Sequence, residues 1–458
     1  MSELAYKRTN AYEVADEQTM KDIFAYAEGY KVFLDEGKTE REACAYAVAM
    51  AEKKGYKPFK FGQKLQKGDK VYYNNRGKNL YVIRVGEQDV AEDGIRILAA
   101  HIDSPRIDLK QVPLYESDGI ALAKTHYYGG IRKYQWTGVP LAMHGAVIKK
   151  DGTKVEVRIG EDDQDPVFYI SDLLPHLAAR QSAKPLGEAI EGEGLNIWLG
   201  NIPYVGADNE KDKTVKENLL KILNEKYGFV EADFLSAEIS LVPAFKARDI
   251  GFDRGLIGAY GHDDRVCAYP ALTALFDEPS TAHTVMVVLA DKEEIGSEGT
   301  TGMQCAVFTD LIDEIARAFN TTSAVVRANS KCLSADVNAA YDPNYAEVLE
   351  KQNATHVSCG AGITKFTGSR GKSGSSDADA EYIGYLRKLF DENGVIWQTG
   401  ELGKVDIGGG GTVAKYIAKM NIDTIDIGVA VVSMHAPYEV VSKADVYHEY
   451  LAFRAFIK

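Results

Sequence analysis

The chain has 458 residues, of which 45% are hydrophobic and 26% charged, and its formal net charge is −14. This composition is typical of a soluble globular protein that is long enough for two domains. The acidic balance argues against nucleic acid as a partner, and no apolar run approaches the roughly 20 residues that a membrane-spanning helix needs.

The N-terminus and the cysteines favour a cytoplasmic protein. The first residues, Met1–Arg8, lack the apolar core of a signal peptide. The five cysteines are scattered, odd in number and without Cys-x-x-Cys spacing, so free thiols in a reducing compartment are the simplest account.

The first hundred residues predict helices followed by strands. Helical spacing of apolar residues indicates one helix over Thr19–Phe33 and another over Ala43–Met50. Strand patterns then follow at Val71–Tyr73, Leu80–Val85 and Ile95–Ala100.

His101 and Asp103 come directly after the last of these strands. In an extended chain, residues two apart point to the same side. Imidazole is a common zinc ligand whose second nitrogen a carboxylate often holds, so we expect His101 to bind metal with Asp103 as its partner. A surface pair is the alternative.

The character of the chain changes between about residues 111 and 245. Short strand-like pieces, Ala146–Ile148 and Lys154–Ile159, alternate with turns, and a helical pattern covers Lys216–Tyr227. Candidate metal ligands stand only on either side of this region. We therefore predict a β-rich domain, residues 111–245, inserted into a catalytic domain formed by residues 1–110 and 246–458.

Two adjacent aspartates precede the next helical pattern. Asp263 and Asp264 lie in the segment Gly258–Arg265, and apolar residues at helical spacing follow it. Capping of a helix N-terminus accounts for one aspartate but does not require two.

Two adjacent glutamates follow a strongly apolar run. The run Thr284–Ala290 predicts a buried parallel strand, and Glu293 and Glu294 come just after its end. In open α/β sheets the carboxyl ends of strands are where sites are built. One glutamate there could ligate a metal ion while the other accepts a proton from water. A solvated acidic loop is the alternative.

Two further candidates complete a pattern that no single motif establishes. Asp336 follows a short apolar segment, and His435 follows the long apolar run Ile425–Val432. Two histidines with several carboxylates suit two ions of zinc, cobalt or manganese. Alternating strands and helices after Ile257 predict an α/β fold: a mostly parallel sheet with helices on both faces.

Two glycine-rich segments lie in the C-terminal part of the chain. The segment Lys365–Asp377 could approach a ligand, with Lys365, Arg370 or Lys372 holding a carboxylate; a mobile polar loop is the alternative. The run Gly408–Gly411 lacks the lysine and spacing of a phosphate loop, so we interpret it as a close-packed turn beside the substrate.

Five motifs, taken in order, resemble the M18 family of metalloaminopeptidases, the aspartyl aminopeptidases. The resemblance spans nearly the whole chain and rests on the segments HIDSPR, GHDDR, DKEEIGS, SADVNAAYDPNY and MHAPYE. Their order is more specific than any one of them. One departure is Asp263-Asp264-Arg265, where the family pattern reads Asp-Asn-Leu.

The resemblance implies a role for each candidate residue. Asp263 would bridge two metal ions, zinc being the first choice, and the Asp263–Asp264 peptide bond is a candidate for the cis form. One ion would be completed by His101 and Asp336 and the other by Glu294 and His435. Glu293 would be the general base acting on a metal-bridging water. Asp103, the expected partner of His101, is the second residue that we predict to be catalytic.

The resemblance also implies a function and an assembly. The expected function is removal of N-terminal residues, acidic ones in particular, from peptides. A broad-specificity aminopeptidase, a deacylase on the same core and a non-catalytic scaffold are the alternatives. The expected assembly is a homo-oligomer, by family habit a tetrahedral dodecamer, built by the insert. His176 could reach a neighbouring site, although Arg180 competes and a surface position is the alternative.

Overall fold

A computed structural model describes residues 4–206 and 213–458 of the chain. Residues 1–3, the start of the segment considered for a signal peptide, and residues 207–212 of the predicted insert lie outside this description. The chain divides into two compact units. Unit one comprises Met1–Ser104, Ala247–Met434 and Glu439–Lys458, and unit two comprises Pro105–Lys246 and His435–Tyr438.

The strands of the described residues are, in chain order, β1 (Lys57–Pro58), β2 (Lys70–Asn75), β3 (Asn79–Arg84), β4 (Ile95–His101), β5 (Arg106–Ser117), β6 (Ile120–Tyr128), β7 (Leu141–Ile148), β8 (Lys154–Ile159), β9 (Ile197–Gly200), β10 (Ala237–Pro243), β11 (Arg248–Ile250), β12 (Leu256–Ala259), β13 (Thr284–Ala290), β14 (Lys331–Ala335), β15 (Asn338–Ala339), β16 (Ala361–Thr364), β17 (Gly368–Ser369), β18 (Trp397–Thr399), β19 (Gly409–Gly410), β20 (Asp423–Gly428), β21 (Ala430–Val431) and β22 (Glu439–Ser442).

The α-helices of the same residues are α1 (Ala11–Val14), α2 (Glu17–Glu36), α3 (Glu40–Lys53), α4 (Val90–Asp93), α5 (Ala179–Ser182), α6 (Leu186–Ala189), α7 (Val215–Tyr227), α8 (His262–Asp277), α9 (Val307–Ala318), α10 (Ser323–Asn329), α11 (Ala380–Glu392), α12 (Ala414–Ala418) and α13 (Lys443–Ile457). Short 3-10 turns occur between them, and one of these, Glu293–Ile295, matters for the site.

The N-terminal helices begin where side chains satisfy the first free N–H groups. Asp16 accepts a hydrogen bond from the N–H of Thr19 at the start of α2, and Thr39 and Glu42 form a reciprocal capping box at the start of α3. The helices predicted over residues 19–33 and 43–50 are confirmed within these two elements.

A nine-stranded sheet forms the centre of unit one. Its order is β1-β2-β3-β13-β4-β14-β20-β16-β18, and five of the eight neighbouring pairs are parallel. The four central strands β13, β4, β14 and β20 all run in one direction. The predicted mostly parallel sheet is therefore confirmed, and its central strands end at a common edge.

Each face of the sheet has its own apolar core. Alternate residues of one strand enter different cores, as with Leu98 in one and Ile97 in the other. The first core includes residues of α2, α3, α8, α11 and α13, and the second includes residues of α9 and Ile417 of α12. Helices thus cover both faces, as predicted, because strands buried on both faces need apolar partners on each.

Unit two is built on an antiparallel sheet. Its six strands follow the order β8-β7-β10-β5-β6-β9. Helix α7 lies along β5, β6 and β9 of that sheet. The strands predicted over residues 146–148 and 154–159 are confirmed as the end of β7 and as β8. The roles predicted for the two domains stay predictions.

The cysteines are free thiols, and most are buried. Burial raises the pKa of Cys44 to about 12 and that of Cys359 to about 11, and it raises the pKa values of Cys267 and Cys332 well above the usual value. Cys305 is partly exposed. Among the described residues, no helix is both long and apolar enough to cross a lipid bilayer.

Candidate metal centre

Three neighbouring parallel strands bring acidic and histidine side chains to one edge of the large sheet. His101 is the last residue of β4, Glu293 and Glu294 follow β13, and Asp336 follows β14. Parallel strands present their carboxyl ends at the same edge, so residues far apart in sequence meet there.

Asp263 and Asp264 come from the first turn of α8. Gly261 precedes the helix with φ +73°, and Asp263 (ψ 108°) and Asp264 (φ −116°, ψ 27°) depart from helical geometry. The peptide bond between the two aspartates is cis, which confirms the expectation drawn from the family resemblance.

The distances within this cluster are short. His101 Nε2 lies 3.1 Å from Asp263 Oδ1 and 4.0 Å from Asp336 Oδ1. Three sets of side chains each offer ligand atoms within 4.8 Å of one another: His101, Glu293 and Asp336; His101, Asp263 and Glu294; and Asp263, Asp264 and Asp336.

Asp103 contacts three residues of the cluster. Its carboxylate accepts hydrogen bonds from the backbone N–H groups of Glu293 (3.1 Å) and Glu294 (3.2 Å). His101 Nδ1 lies 3.0 Å from the carbonyl oxygen of Asp103 and 3.3 Å from its Oδ1. A histidine held through one ring nitrogen presents the other in a defined direction, here toward Asp263.

Burial and crowding perturb the ionisation of these groups. Burial raises the pKa of Asp336 well above its usual value, the charges of Glu293 and Asp264 add to this, and His101 opposes it. Burial likewise raises the pKa of Asp264. For His101, burial favours the neutral ring, but hydrogen bonds to Asp103 and Asp263 outweigh it and raise the pKa well above 6.5.

The donor set fits a divalent metal. The ionised carboxylates of these sets repel one another unless a cation lies among them. Imidazole with carboxylate suits zinc, cobalt or manganese rather than a soft thiophilic ion. The residues that could hold the ion are His101, Asp263, Glu294 and Asp336, with Glu293 close by.

Two residues beside the predicted ligands, Asp264 and Glu439, were not assigned a role at the site from the sequence. Asp264 joins one donor set, and its Oδ2 accepts a hydrogen bond from the N–H of His101 (3.2 Å). Glu439, which is buried, accepts a hydrogen bond from the N–H of Asp263 (3.1 Å). The sequence feature that could have identified Glu439 is its position as the last residue of the motif MHAPYE.

His435 belongs to unit two by its contacts. Its Nδ1 lies 2.8 Å from the carbonyl oxygen of Gly130 in the same unit. The donor sets found among the described residues do not contain His435, so the role of ligand expected for this residue stays a prediction.

The predicted substrate loop carries three exposed cations, two of which share one carboxylate. Lys365 and Lys372 lie 3.2 Å and 3.0 Å from the oxygens of Asp377. Arg370 and Lys372 line a cavity, which Lys404 also lines. Lys404 was not a candidate from the sequence because it stands apart from the basic segment. The role of these cations as substrate contacts stays a prediction.

The glycine run packs against this loop. β19 (Gly409–Gly410) pairs with β17 (Gly368–Ser369), and a Cβ atom on Gly409, where φ is +135°, would lie 2.2 Å from the carbonyl oxygen of Gly368. Thr412 donates a hydrogen bond to Asp426 of β20 (2.7 Å), which ties the run to the large sheet. The run therefore allows two backbones to approach closely.

The two candidates of the insert lie on the surface of unit two. His176 is exposed in a 3-10 turn, Pro175–Leu177, and Arg180 is exposed in α5. Both side chains are exposed, and their contact with a neighbouring subunit stays a prediction.

An α/β sheet with possible metal ligands at its carboxyl edge is an arrangement that suits a metallohydrolase. The family model described as Aminopeptidase I zinc metalloprotease (M18) matches residues 33–457. The chain therefore belongs to the M18 family of metalloaminopeptidases, enzymes that hydrolyse peptides at their N-terminus.

Relatives match the chain over nearly its full length. The probable M18 family aminopeptidase 1 of Clostridium acetobutylicum is 48% identical and covers 100% of this chain and 99% of its own. The crystal structure of an M18 family aminopeptidase from Thermotoga maritima has a TM-score of 0.94 at 42% identity, over 99% of this chain and 100% of that one. A dodecamer structure of mApe1 from S. cerevisiae has a TM-score of 0.75 at 23% identity over 94% and 96%, which shows the shared fold.

Proposed function

We propose that this protein is an aminopeptidase that removes acidic N-terminal residues from peptides. It would use two metal ions, for which zinc is the first choice. The observation that carries the two-ion proposal is the overlap of the donor sets, since His101, Asp263 and Asp336 each belong to two of them. A carboxylate that is shared in this way suits a bridge between two ions.

The proposed ligands follow from the family motifs and the distances together. Asp263 would be shared by the two ions, His101 and Asp336 would complete one position, and Glu294 with His435 would complete the other. The first position is supported by the separations of 3.1 Å and 4.0 Å from His101 Nε2. His435 enters by the resemblance of its motif alone.

Glu293 is the proposed general base. When bound, the metal ions supply Lewis-acid activation of the scissile carbonyl and of the attacking water. Glu293 accepts the proton of that water and passes it to the leaving amine. Asp103 supports this task because it holds the backbone N–H groups of both glutamates and the ring of His101.

The proposed preference for acidic residues rests on the cationic loop. Lys365 and Lys372 already contact the carboxylate of Asp377, so we assign the substrate carboxylate first to Arg370, which can bind it through two N–H groups. With a net charge of −14, the chain as a whole does not attract acidic peptides, and a local cation must do so.

A substrate panel tests this preference. Turnover of Asp-, Glu-, Leu- and Lys-amide substrates should be fastest for the acidic pair, and Arg370→Gln should lower kcat/KM for that pair alone. Lys388→Gln, which changes an exposed lysine of α11, is the matched control. A preference for Leu would refute the acidic specificity and favour a broad-specificity aminopeptidase.

The proposed assembly is a homo-oligomer, by family habit a tetrahedral dodecamer, in which residues 111–245 cover neighbouring sites and His176 or Arg180 reaches across. The dodecamer described for the yeast relative supports this proposal. Light scattering of the purified protein should give a mass near twelve chains of 50.3 kDa, and a monomer would refute it. We further propose a cytoplasmic location, which the free cysteines support.

A further inference from the structure

The backbone of Asp263 cannot use the ordinary hydrogen bonds of a helix. It stands at the start of α8, yet its ψ of 108° takes its peptide groups out of the helical ladder. Buried backbone groups need partners from elsewhere. Side chains supply them on both sides of this one residue.

The two partners come from distant segments of the chain. The N–H of Asp263 donates to Glu439 Oε2 (3.1 Å), and its carbonyl oxygen accepts a hydrogen bond from Ser104 Oγ (2.6 Å). Glu439 begins β22, and Ser104 follows β4 by three residues. Both partners are 1% exposed, so water does not compete with either bond.

Arg265 supports the Ser104 side of this arrangement. Its guanidinium donates to Ser104 Oγ (3.0 Å), to the carbonyl oxygen of Lys38 (2.9 Å) and to that of Tyr260 (3.4 Å). The side chain is fully buried. A Cβ atom on Gly261 would lie 2.2 Å from Arg265 Nη1, so the glycine leaves the space that the guanidinium occupies.

The charges of these side chains require an explanation. Glu439 adds a buried carboxylate beside a cluster that already holds several, and Arg265 adds a buried cation. Burying a charge costs free energy unless the group is paired and hydrogen-bonded, and here Glu439 bonds to the N–H of Asp263 while Arg265 bonds to Ser104. These bonds fix the orientation of the Asp263 main chain, from which its carboxylate projects.

We propose that Glu439 and Ser104, the latter backed by Arg265, are positioning residues that hold Asp263 from both sides so that its carboxylate is oriented for the metal. This inference rests on the proposed metal-bridging role of Asp263. It assigns a task to Arg265, where the sequence departs from the family pattern. Outer partners of this kind typically change metal affinity by about 10- to 100-fold when they are lost.

The test is the affinity of the metal-free full-length protein for Zn²⁺, measured by competition with a chromogenic chelator. Glu439→Ala should weaken Zn²⁺ binding by about 10- to 100-fold. Glu439→Gln should restore most of the affinity, because its amide oxygen still accepts a hydrogen bond from the N–H of Asp263. Ser104→Ala provides a second, smaller truncation if Glu439→Ala does not fold.

Glu314→Ala is the matched control. Glu314 is also a buried glutamate whose carboxylate accepts a backbone N–H, that of Gly62 (3.1 Å), and it lies on α9 outside the donor sets. Its loss should lower the thermal unfolding midpoint without weakening Zn²⁺ binding. If Glu439→Ala and Ser104→Ala behave like this control, the positioning role is refuted.

The same measurement separates this inference from the proposed function. A wild-type protein that takes up no Zn²⁺ would refute the metal centre itself. A wild-type protein that binds Zn²⁺ as tightly as the two truncated variants do would refute only the role of Glu439 and Ser104.

Discussion

Glu293 and Glu294 are neighbours in the chain, yet they belong to different donor sets. Glu293 lies with His101 and Asp336, and Glu294 lies with His101 and Asp263. Both are held by the same carboxylate, that of Asp103, through their backbone N–H groups. A single side chain thus sets the position of the proposed base and of a proposed ligand together.

Removing the charge of Glu293 should strongly reduce turnover without removing the bound metal. Glu293→Gln keeps the shape of the side chain but cannot accept a proton, and general-base catalysis typically contributes about 10²- to 10⁴-fold. We expect kcat to fall by that order, with metal content per chain unchanged in elemental analysis. Near-normal kcat in this variant would show that another group is the base.

Some residues of this site could be predicted from the sequence and others could not. His101, Asp263, Glu293, Glu294 and Asp336 were predicted to meet because each follows a strand or opens a helix, and the structure brings them together. Glu439 was not predicted, because a hydrogen bond to a backbone N–H leaves no chemical signature in the sequence. For His435, the position in the sequence did not predict which residues lie around its side chain.

Among the structural elements, the short ladder between β17 and β19 gives a direct test of the substrate loop. In Gly409→Ala the new Cβ would collide with the carbonyl oxygen of Gly368 at 2.2 Å, so the ladder must open and the loop with Arg370 must move. A displacement of about 1 Å can cost on the order of 100-fold in rate. We expect kcat/KM for acidic substrates to fall about 10- to 100-fold.

Gly371→Ala is the control for that change. Gly371 lies in the same loop, and a Cβ atom there meets nothing within 4 Å. This variant should keep wild-type kcat/KM and metal content. If Gly409→Ala also keeps both, the ladder does not set the position of the substrate loop.

Helix α13 carries an acid-sensitive group. Burial lowers the pKa of His448 to about 4, and its Nδ1 accepts a hydrogen bond from the N–H of Ile396 (3.1 Å). Between pH 6.5 and 4 the unfolded chain therefore binds more protons than the folded chain, so stability falls as the pH falls through this window.

The matching variant is His448→Gln, which does not titrate but can still accept the hydrogen bond. Between pH 7 and pH 4 its free energy of unfolding should fall by about 3 kcal/mol less than that of the wild type, given a pKa shift from 6.5 to about 4. Chemical denaturation at the two pH values measures the difference. Equal losses in both proteins would contradict this account.

The elements differ in how well their pattern predicts them. The run over residues 284–290 is confirmed as β13 without a change of boundary, because an all-apolar run of this length suits a strand buried on both faces. The run over residues 425–432 forms two strands, β20 and β21. The second leaves the large sheet to pair with β15, and apolar patterning cannot distinguish one strand partner from another.

For the molecule as a whole, metal removal should affect catalysis and stability together. The carboxylates of the cluster repel one another unless a cation lies among them, so the metal-bound form should be the more stable one. A ligand present at 100 times its Kd stabilises the folded state by about 2.7 kcal/mol. Dialysis against a chelator should therefore abolish turnover and lower the thermal unfolding midpoint.

Adding Zn²⁺ back distinguishes the loss of metal from irreversible damage to the protein. Activity and the unfolding midpoint should return together, and elemental analysis should approach two ions per chain. Full activity in the chelated protein, with metal below one ion in ten chains, would refute a catalytic metal.

The cysteines differ in exposure, which allows one of them to be labelled selectively. Four of the five cysteines are buried with raised pKa values, so few of their thiolates exist at neutral pH, whereas Cys305 is partly exposed. Its N–H donates to the carbonyl oxygen of Gly302, at the end of the segment that carries Glu293 and Glu294. An environment-sensitive fluorophore coupled through maleimide should therefore attach at one position and report on that segment without any engineered mutation.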